Sequence, residues 1–226
     1  MSLGFGSAAS PGERLVGASI LSADFGTLAA EAKAALAAGA DALHVDVMDG
    51  HFVPNLSMGP AICAALRRHV PDALIDVHLM VEQPGAHVEA FAAAGANHQT
   101  IHLESPVDHR AVAAQIHASG CTAGLAINPD TPIDDVLAMQ DDFELSLVMS
   151  VHPGYSGQAF IEGVLPKVAA LRASLGPEAW IQMDGGVSPN SASACREAGC
   201  NMLVSASAIF GSDQYAASIA AIRGAD

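Results

Sequence analysis

Leu43–Asn55 reads LHVDVMDGHFVPN and lies one residue, Ala42, after Gly39-Ala40-Asp41. Side chains alternate along a strand, so His44, Asp46 and Met48 share one face of this stretch while Leu43, Val45 and Val47 share the other. Asp49-Gly50 and Pro54-Asn55 are turn signals that close it. Gly39 stands where a helix stops, because glycine reaches the left-handed backbone of a C′ position without a Cβ clash. Helix stop, strand and loop therefore follow one another here. The same order recurs at Gly95-Ala96-Asn97, Gly120-Cys121-Thr122 and Gly199-Cys200-Asn201, each set directly before a strand pattern.

Working outward, the patterning predicts strands at Leu15–Leu21, Asp41–Met48, Ala73–Met80, Asn97–Leu103, Cys121–Ile127, Phe143–Val151, Trp180–Met183 and Asn201–Ser205. Helical patterns separate them. Asp24 is positioned to cap the first, on which Phe25, Leu28, Ala32 and Leu36 fall at helical spacing, and Ser188-Pro189 opens the one ending at Gly199. Asp213–Ile222 forms the last. Eight strand–helix units without a linker or a composition break fit a single closed (β/α)8 barrel over residues 14–226. An open doubly wound sheet is disfavoured, since no G-x-G-x-x-G follows the first strand.

Residues 1–13 are rich in Gly, Ser and Ala, lack a basic region and an apolar core, and are expected to form a loose tail instead of a signal peptide. Nothing approaches the unbroken apolar run of a membrane helix. The formal charge of −15 argues against nucleic acid, which needs a basic footprint. It leaves room for a small phosphorylated ligand, because backbone N–H groups at helix N-termini hold phosphate without lysine. Cys63, Cys121, Cys195 and Cys200 form no CxxC pair, so reduced thiols and a cytoplasmic setting are expected.

In such a barrel the chemistry sits where strands pass into the loops that follow them. Polar residues gather at that end: Ser19, then His44 and Asp46, Asp76 and His78, His102 and Glu104, Asn128, His152, and Asp184. Each alone is readily a satisfied core or edge residue; their coincidence across strands points to a site. His44, Asp46, His78 and Asp184 offer two imidazoles and two carboxylates, a donor set suited to Zn²⁺, Fe²⁺, Mn²⁺ or Co²⁺. The segments Asp184–Val187 and Val204–Ser207 occupy the usual phosphate loops of this fold, and Pro153–Gly157 is a third candidate.

SILSADF (Ser19–Phe25), HVDVMDGHFVPN (His44–Asn55), DVHLMV (Asp76–Val81), MSVHPGYSGQAF (Met149–Phe160) and MDGGV (Met183–Val187) together resemble the ribulose-phosphate 3-epimerase family, in order, from about Ser19 to Phe210. The resemblance implies an enzyme interconverting D-ribulose 5-phosphate and D-xylulose 5-phosphate in the pentose phosphate pathway. It implies an acid/base pair in Asp46 and Asp184, both also ligands of one divalent cation with His44 and His78. Ser19 and His78 would touch substrate, and Met48, Met80 and Met149 would wall the reacting carbons. Gly154, Tyr155, Ser156, Gly157, Asp184, Gly185, Gly186, Ala206 and Ser207 would hold the sugar phosphate. A homo-oligomer is expected.

The match has departures from the family pattern: Ser156 and Ala206 stand where glycine is usual, and His152 and Met183 are less usual choices. A positive φ at Ser156 or Ala206 would cost about 1–2 kcal/mol. The alternatives are the same inversion on D-allulose 6-phosphate and a silent phosphosugar-binding barrel; retention of both Asp46 and Asp184 argues against the latter. His102 and Glu104 are assigned a supporting place instead of a ligand's, and His51–Asn55 is the candidate wall or lid.

Overall fold

Leu15–Ser19 (β1), Ala42–Met48 (β2), Leu74–Met80 (β3), His98–His102 (β4), Thr122–Ile127 (β5), Leu145–Met149 (β6), Trp180–Asp184 (β7) and Met202–Ser205 (β8) pair in parallel in chain order, and β8 returns to β1. The result, in a computed structural model describing residues 13–224, is the closed (β/α)8 barrel expected from the repeat. Around it lie α1 (Leu28–Ala37), α2 (Pro60–His69), α3 (Val88–Ala93), α4 (His109–Ala118), α5 (Asp134–Met139), α6 (Leu165–Leu175), α7 (Pro189–Ala198), α8 (Ser207–Phe210) and α9 (Tyr215–Arg223). Apart from Glu13, the expected tail lies outside the described residues.

Alternation divides the core in two. Leu43, Val45 and Val47 of β2 and Ile75, Val77 and Leu79 of β3 face outward and pack with helix residues such as Leu66, Phe91 and Val168. Inside, the first residues of six strands, Leu15, Ala42, Leu74, Leu145, Trp180 and Met202, plug the N-terminal end of the barrel. Burying each large apolar side chain contributes about 1.5–3 kcal/mol. Above the plug the interior turns polar, with His44, Asp76, His98 and Gln182 all buried.

The N-terminal rim carries a repeat that three of the helix stops, Gly39, Gly95 and Gly199, lead into. Gly39, Gly95, Gly120 and Gly199 all have positive φ, as a C′ residue requires. The residue just before each even strand then reaches back one strand. Val16 N–H donates to Asp41 at 2.7 Å, Ile75 N–H to Asn97 at 2.9 Å, Ala123 N–H to Glu144 at 2.7 Å and Ile181 N–H to Asn201 at 2.8 Å. In every case the donor is the second residue of the preceding odd strand. Side chains from elsewhere brace three of these acceptors: Arg223 at Asp41, Arg67 at Asn97 and His117 at Glu144. Arg67 also grips Gly95 O at 2.7 Å, and Arg172 grips Gly199 O at 2.9 Å.

Several boundaries differ from expectation. β1 ends at Ser19, and Ile20–Ser22 turn into a 3₁₀ helix instead of continuing the strand. Asp24 accepts from Gly26 N–H and Thr27 hydroxyl, so it organises a turn ahead of α1 instead of capping it, and Phe25 is left 47% exposed. β6 stops at Met149, short of the expected Val151, whereas β7 runs one residue longer, to Asp184. The short α8 was not apparent from the pattern, and α9 starts at Tyr215 instead of Asp213. Ser188 does open α7, in a capping box with Ser191 and with Pro189 in the first turn.

Candidate active site

Strand register builds the site. β2 and β3 pair with Asp46 opposite His78 and His44 opposite Asp76, so four polar side chains enter the barrel from two adjacent strands. Asp184 arrives at the end of β7, in register with Met149 of β6 and Val204 of β8. One ligand atom from each of His44, Asp46, His78 and Asp184 falls within 4.8 Å of all the others.

The contacts define a small cage. Asp46 Oδ1 lies 3.4 Å from both His44 Nε2 and His78 Nδ1, and Asp184 Oδ2 lies 3.8 Å from the first nitrogen and 3.5 Å from the second. Donors at about 2.1 Å around a tetrahedral cation are separated by about 3.4 Å, so the spacing fits a single ion. Both imidazole nitrogens are buried and have no hydrogen-bond partner within the protein. Two such atoms aimed at one point, across from two carboxylate oxygens, are what a divalent cation takes up. The residues fit.

In three of the four cage residues, His44, Asp46 and His78, the other polar atom has its own partner. His44 Nδ1 contacts Asp76 Oδ2 at 2.7 Å, and Gln182 donates to that same oxygen at 2.8 Å. Ser19 hydroxyl donates to Asp46 Oδ2 at 2.5 Å. His78 Nε2 meets His102 Nε2 at 2.9 Å, and His102 Nδ1 meets Glu104 Oε2 at 3.0 Å. His102 and Glu104 therefore stand behind His78 and outside the cage. Asp76 is the partner that the strand pattern displayed but did not assign: its place below His44 is set by register, which one sequence does not reveal.

Charge follows from these contacts. Burial disfavours the charged His44 ring, but Asp46 and Asp76 outweigh it and hold its pKa well above the ordinary value. His78 is likewise raised, burial being overcome by Asp184 and Asp46. Asp46 is lowered despite its burial, because His44 and His78 favour its ionised form. Burial pushes His102 down to about 4. Cation binding requires neutral imidazoles, so loading the cage releases protons.

Above the cage opens a narrow cleft. Met48, Met80 and Met149 form its apolar wall, with Ser19, Asp46 and Asp184 at its base. Of the expected binding residues, Gly154, Tyr155, Ser156, Gly157, Gly185, Gly186, Ala206 and Ser207 line it and His78 does not; Leu21, Val151, Pro153, Gln158, Val187 and Val204, which lie in the same segments without an expected role, line it too. No lysine or arginine is among the lining residues. Gly185 and Gly186 have φ of +107° and +64°, and a Cβ would meet Val151 at 2.4 Å or Phe160 N at 2.7 Å. These two positions need glycine on both counts. Ser156 and Ala206 do not: no described non-glycine residue has positive φ, and Ala206 has φ of −108°. The strain considered for them does not arise, and their N–H groups remain donors.

The loop after β2, the expected wall or lid, is tied to the loop after β6, and none of its residues lines the cleft. Asp49 accepts from the N–H groups of His51, Phe52 and Glu82, fixing the loop's start. Asn55 donates to Gly154 O at 2.7 Å, and Tyr155 hydroxyl donates to Pro54 O at 3.0 Å. His152 is exposed and does not line the cleft.

A model of the family described as the ribulose-phosphate 3 epimerase family matches residues 15–210. The ribulose-phosphate 3-epimerase of Synechocystis is 47% identical over 92% of this chain and 93% of its own length. That of Bacillus subtilis is 44% identical over 92% of this chain and 98% of its own. Among solved structures, KGPDC from Streptococcus mutans superposes with a TM-score of 0.69 at 12% identity, covering 94% of this chain and 96% of that one, a likeness of fold.

Proposed function

The chain belongs to the ribulose-phosphate 3-epimerase family and is an isomerase, and on that premise we propose that it inverts C3 of D-ribulose 5-phosphate to give D-xylulose 5-phosphate by a two-carboxylate proton transfer. The observation that carries the mechanism is the placement of Asp46 and Asp184. They enter one cleft from separate strands, and each turns one oxygen toward the same pair of imidazole nitrogens.

Inversion beside a ketone breaks the C3–H bond on one face and forms a new one on the other, through an enediolate. One carboxylate accepts the C3 proton while the other, as the acid, returns a proton to the opposite face. Ser19 hydroxyl holds Asp46 Oδ2 in a fixed orientation. Ser150 does the same for the backbone at Asp184, donating its hydroxyl to Asp184 O and Gly185 O. Met48, Met80 and Met149 line the cleft with both carboxylates and exclude water from the reacting carbons. His44, Asp46, His78 and Asp184 would hold a divalent cation of the Zn, Fe, Mn or Co type, which when bound would supply Lewis-acid stabilisation of the developing negative charge.

The phosphate is bound by backbone N–H groups of the loops at 154–157, 185–186 and 206–207, in keeping with a cleft without cationic side chains. The four cysteines are free and buried, which supports a reducing, cytoplasmic setting. No helix among the described residues is long and apolar enough to cross a membrane. A homo-oligomer is part of the proposal, with Phe25 and Leu56, 47% and 75% exposed, as apolar side chains for a subunit contact; sedimentation of Leu56→Asp against the unaltered protein tests it.

The deciding experiment follows solvent deuterium into C3 of D-ribulose 5-phosphate and, in parallel, D-allulose 6-phosphate, using cation-loaded protein and Asp184→Asn. Incorporation into the pentulose that is lost in Asp184→Asn is expected. Absence of exchange with every cation would sink the epimerase mechanism, and faster exchange into the hexulose would reassign the substrate.

A further inference from the structure

Glu104 and His102 take no part in the cage, yet they form a continuous hydrogen-bonded chain ending on one of its ligands. We propose that this pair is a positioning relay: it fixes His78 in the tautomer protonated on Nε2, leaving the Nδ1 lone pair bare for a cation. The inference rests on the cation site proposed above.

The direction of every bond in the chain follows from its far end. Glu104 Oε1 accepts from Asn128 N–H at 2.7 Å and from Thr131 hydroxyl. A backbone N–H cannot become an acceptor, so that oxygen is committed. Oε2 faces His102 Nδ1 at 3.0 Å, and an ionised carboxylate only accepts, so Nδ1 of His102 carries a proton. In the neutral ring, His102 Nε2 is then an acceptor. It lies 2.9 Å from His78 Nε2, a separation that needs one proton between the nitrogens, and only His78 is left to supply it. Ring centroids 5.0 Å apart, with planes tilted by 18°, show that the two rings meet edge to edge, as an in-plane N–H···N bond requires. His78 Nδ1 is what remains, the buried atom without a partner that faces Asp46 and Asp184.

The base of the relay is itself held. Lys167 donates to the carbonyls of Pro129 and of Thr131, the latter at 2.6 Å, fixing the loop that presents both donors to Glu104. The two ligand imidazoles are thus set by different means: His44 directly by Asp76, and His78 by a carboxylate acting through a second imidazole. Such outer partners of ligand histidines govern ring orientation and basicity.

Glu104→Gln is the informative substitution, because Asn128 N–H obliges the amide oxygen to occupy the Oε1 place. The amide NH₂ then faces His102 Nδ1 and donates to it, reversing the chain. His102 becomes protonated on Nε2, His78 accepts there, and its own proton moves to Nδ1, pointing into the cage. The test uses the full-length protein labelled with ¹⁵N-histidine, free of metal, with the pH raised until the His78 resonances stop moving, because Asp184 and Asp46 hold that ring above the ordinary imidazole range. Long-range ¹H–¹⁵N spectra read the tautomers, and competition with a chromophoric chelator reads zinc affinity.

We expect His78 protonated on Nε2 in the unaltered protein and on Nδ1 in Glu104→Gln, with zinc affinity reduced about 10–100-fold in the variant. Thr131→Val, which leaves Asn128 N–H on Glu104, should keep the original tautomer. A merely structural Glu104 would not move the tautomer. A His78 protonated on Nδ1 in the unaltered protein overturns the relay even if Glu104→Gln fails to fold, and so does an unchanged tautomer in a folded Glu104→Gln. Unaltered protein with the expected tautomers that takes up no zinc would remove the zinc reading of the cage while supporting the relay.

Discussion

The two ends of the barrel are built on opposite plans. At the N-terminal rim one device is used four times: an Asp, Asn, Glu or Asn just before an even strand accepts from the second N–H of the odd strand behind it. At the C-terminal rim no two strands do the same thing, with Ser19, Asp46, His78, His102 and Asp184 each having its own partners. Repetition at one end and specialisation at the other fit the division of labour in this fold, in which one face stabilises and the other reacts. Substitutions at the two ends should therefore separate stability from turnover.

The largest effect belongs to the C-terminal rim. Asp46→Asn should lower kcat about 10³-fold, the scale of losing a general acid or base, while the protein keeps its circular dichroism spectrum. A coupled assay checks this; near-normal turnover would break the contrast. At the other rim, Arg67→Ala removes bonds to Gly95 O, Pro71 O, Ala73 O and Asn97 Oδ1 at once. It should cost about 2–4 kcal/mol in urea unfolding without changing kcat of the folded protein, since charged hydrogen bonds contribute about 1.5–3 kcal/mol each and are not additive. Arg172→Ala should behave alike if the two grips are equivalent.

Between the rims lies the polar layer, and His98 probes it. Burial pushes His98 down to about 4 from its ordinary 6.5, so the unfolded chain takes up the proton first as pH falls. Stability from the neutral ring is intact above the ordinary value and is lost as pH drops toward 4, by about 2 kcal/mol at pH 5. Urea unfolding at pH 7 and pH 5 should show a smaller decline in His98→Gln by that amount. The smallest effect is expected at the mouth: Tyr155→Phe loses the bond to Pro54 O and should raise KM by a few-fold, about 1 kcal/mol or less, with kcat unchanged in steady-state assays.

Legibility in the sequence follows the same division. The helix stops were readable because Gly39, Gly95 and Gly199 are local signals, and alternation in LHVDVM set the correct faces of β2. What the third residue of each stop does was hidden, since its acceptor role joins it to a residue 20 to 25 positions earlier, in the preceding strand. Ile20 and Leu21 look like strand, but β1 ends where its pairing with β2 ends, at Ser19 opposite His44. Asp24 satisfied a capping pattern and made a turn because Gly26 and Thr27 compete for the same carboxylate. The gathering of polar residues at strand ends was visible. The pairing of His44 with Asp76, and of His78 with His102 and Glu104, depended on register.

The fourfold rim also says where the scaffold divides. Each copy spans an odd strand, its helix and the residue leading the next strand, so a break at Gly120, just before β5, leaves two intact copies on either side. His44, Asp46 and His78 stay with the first piece and Asp184 goes with the second. The frame is modular and the chemistry is shared, so turnover recovered on mixing the two halves would register their reunion.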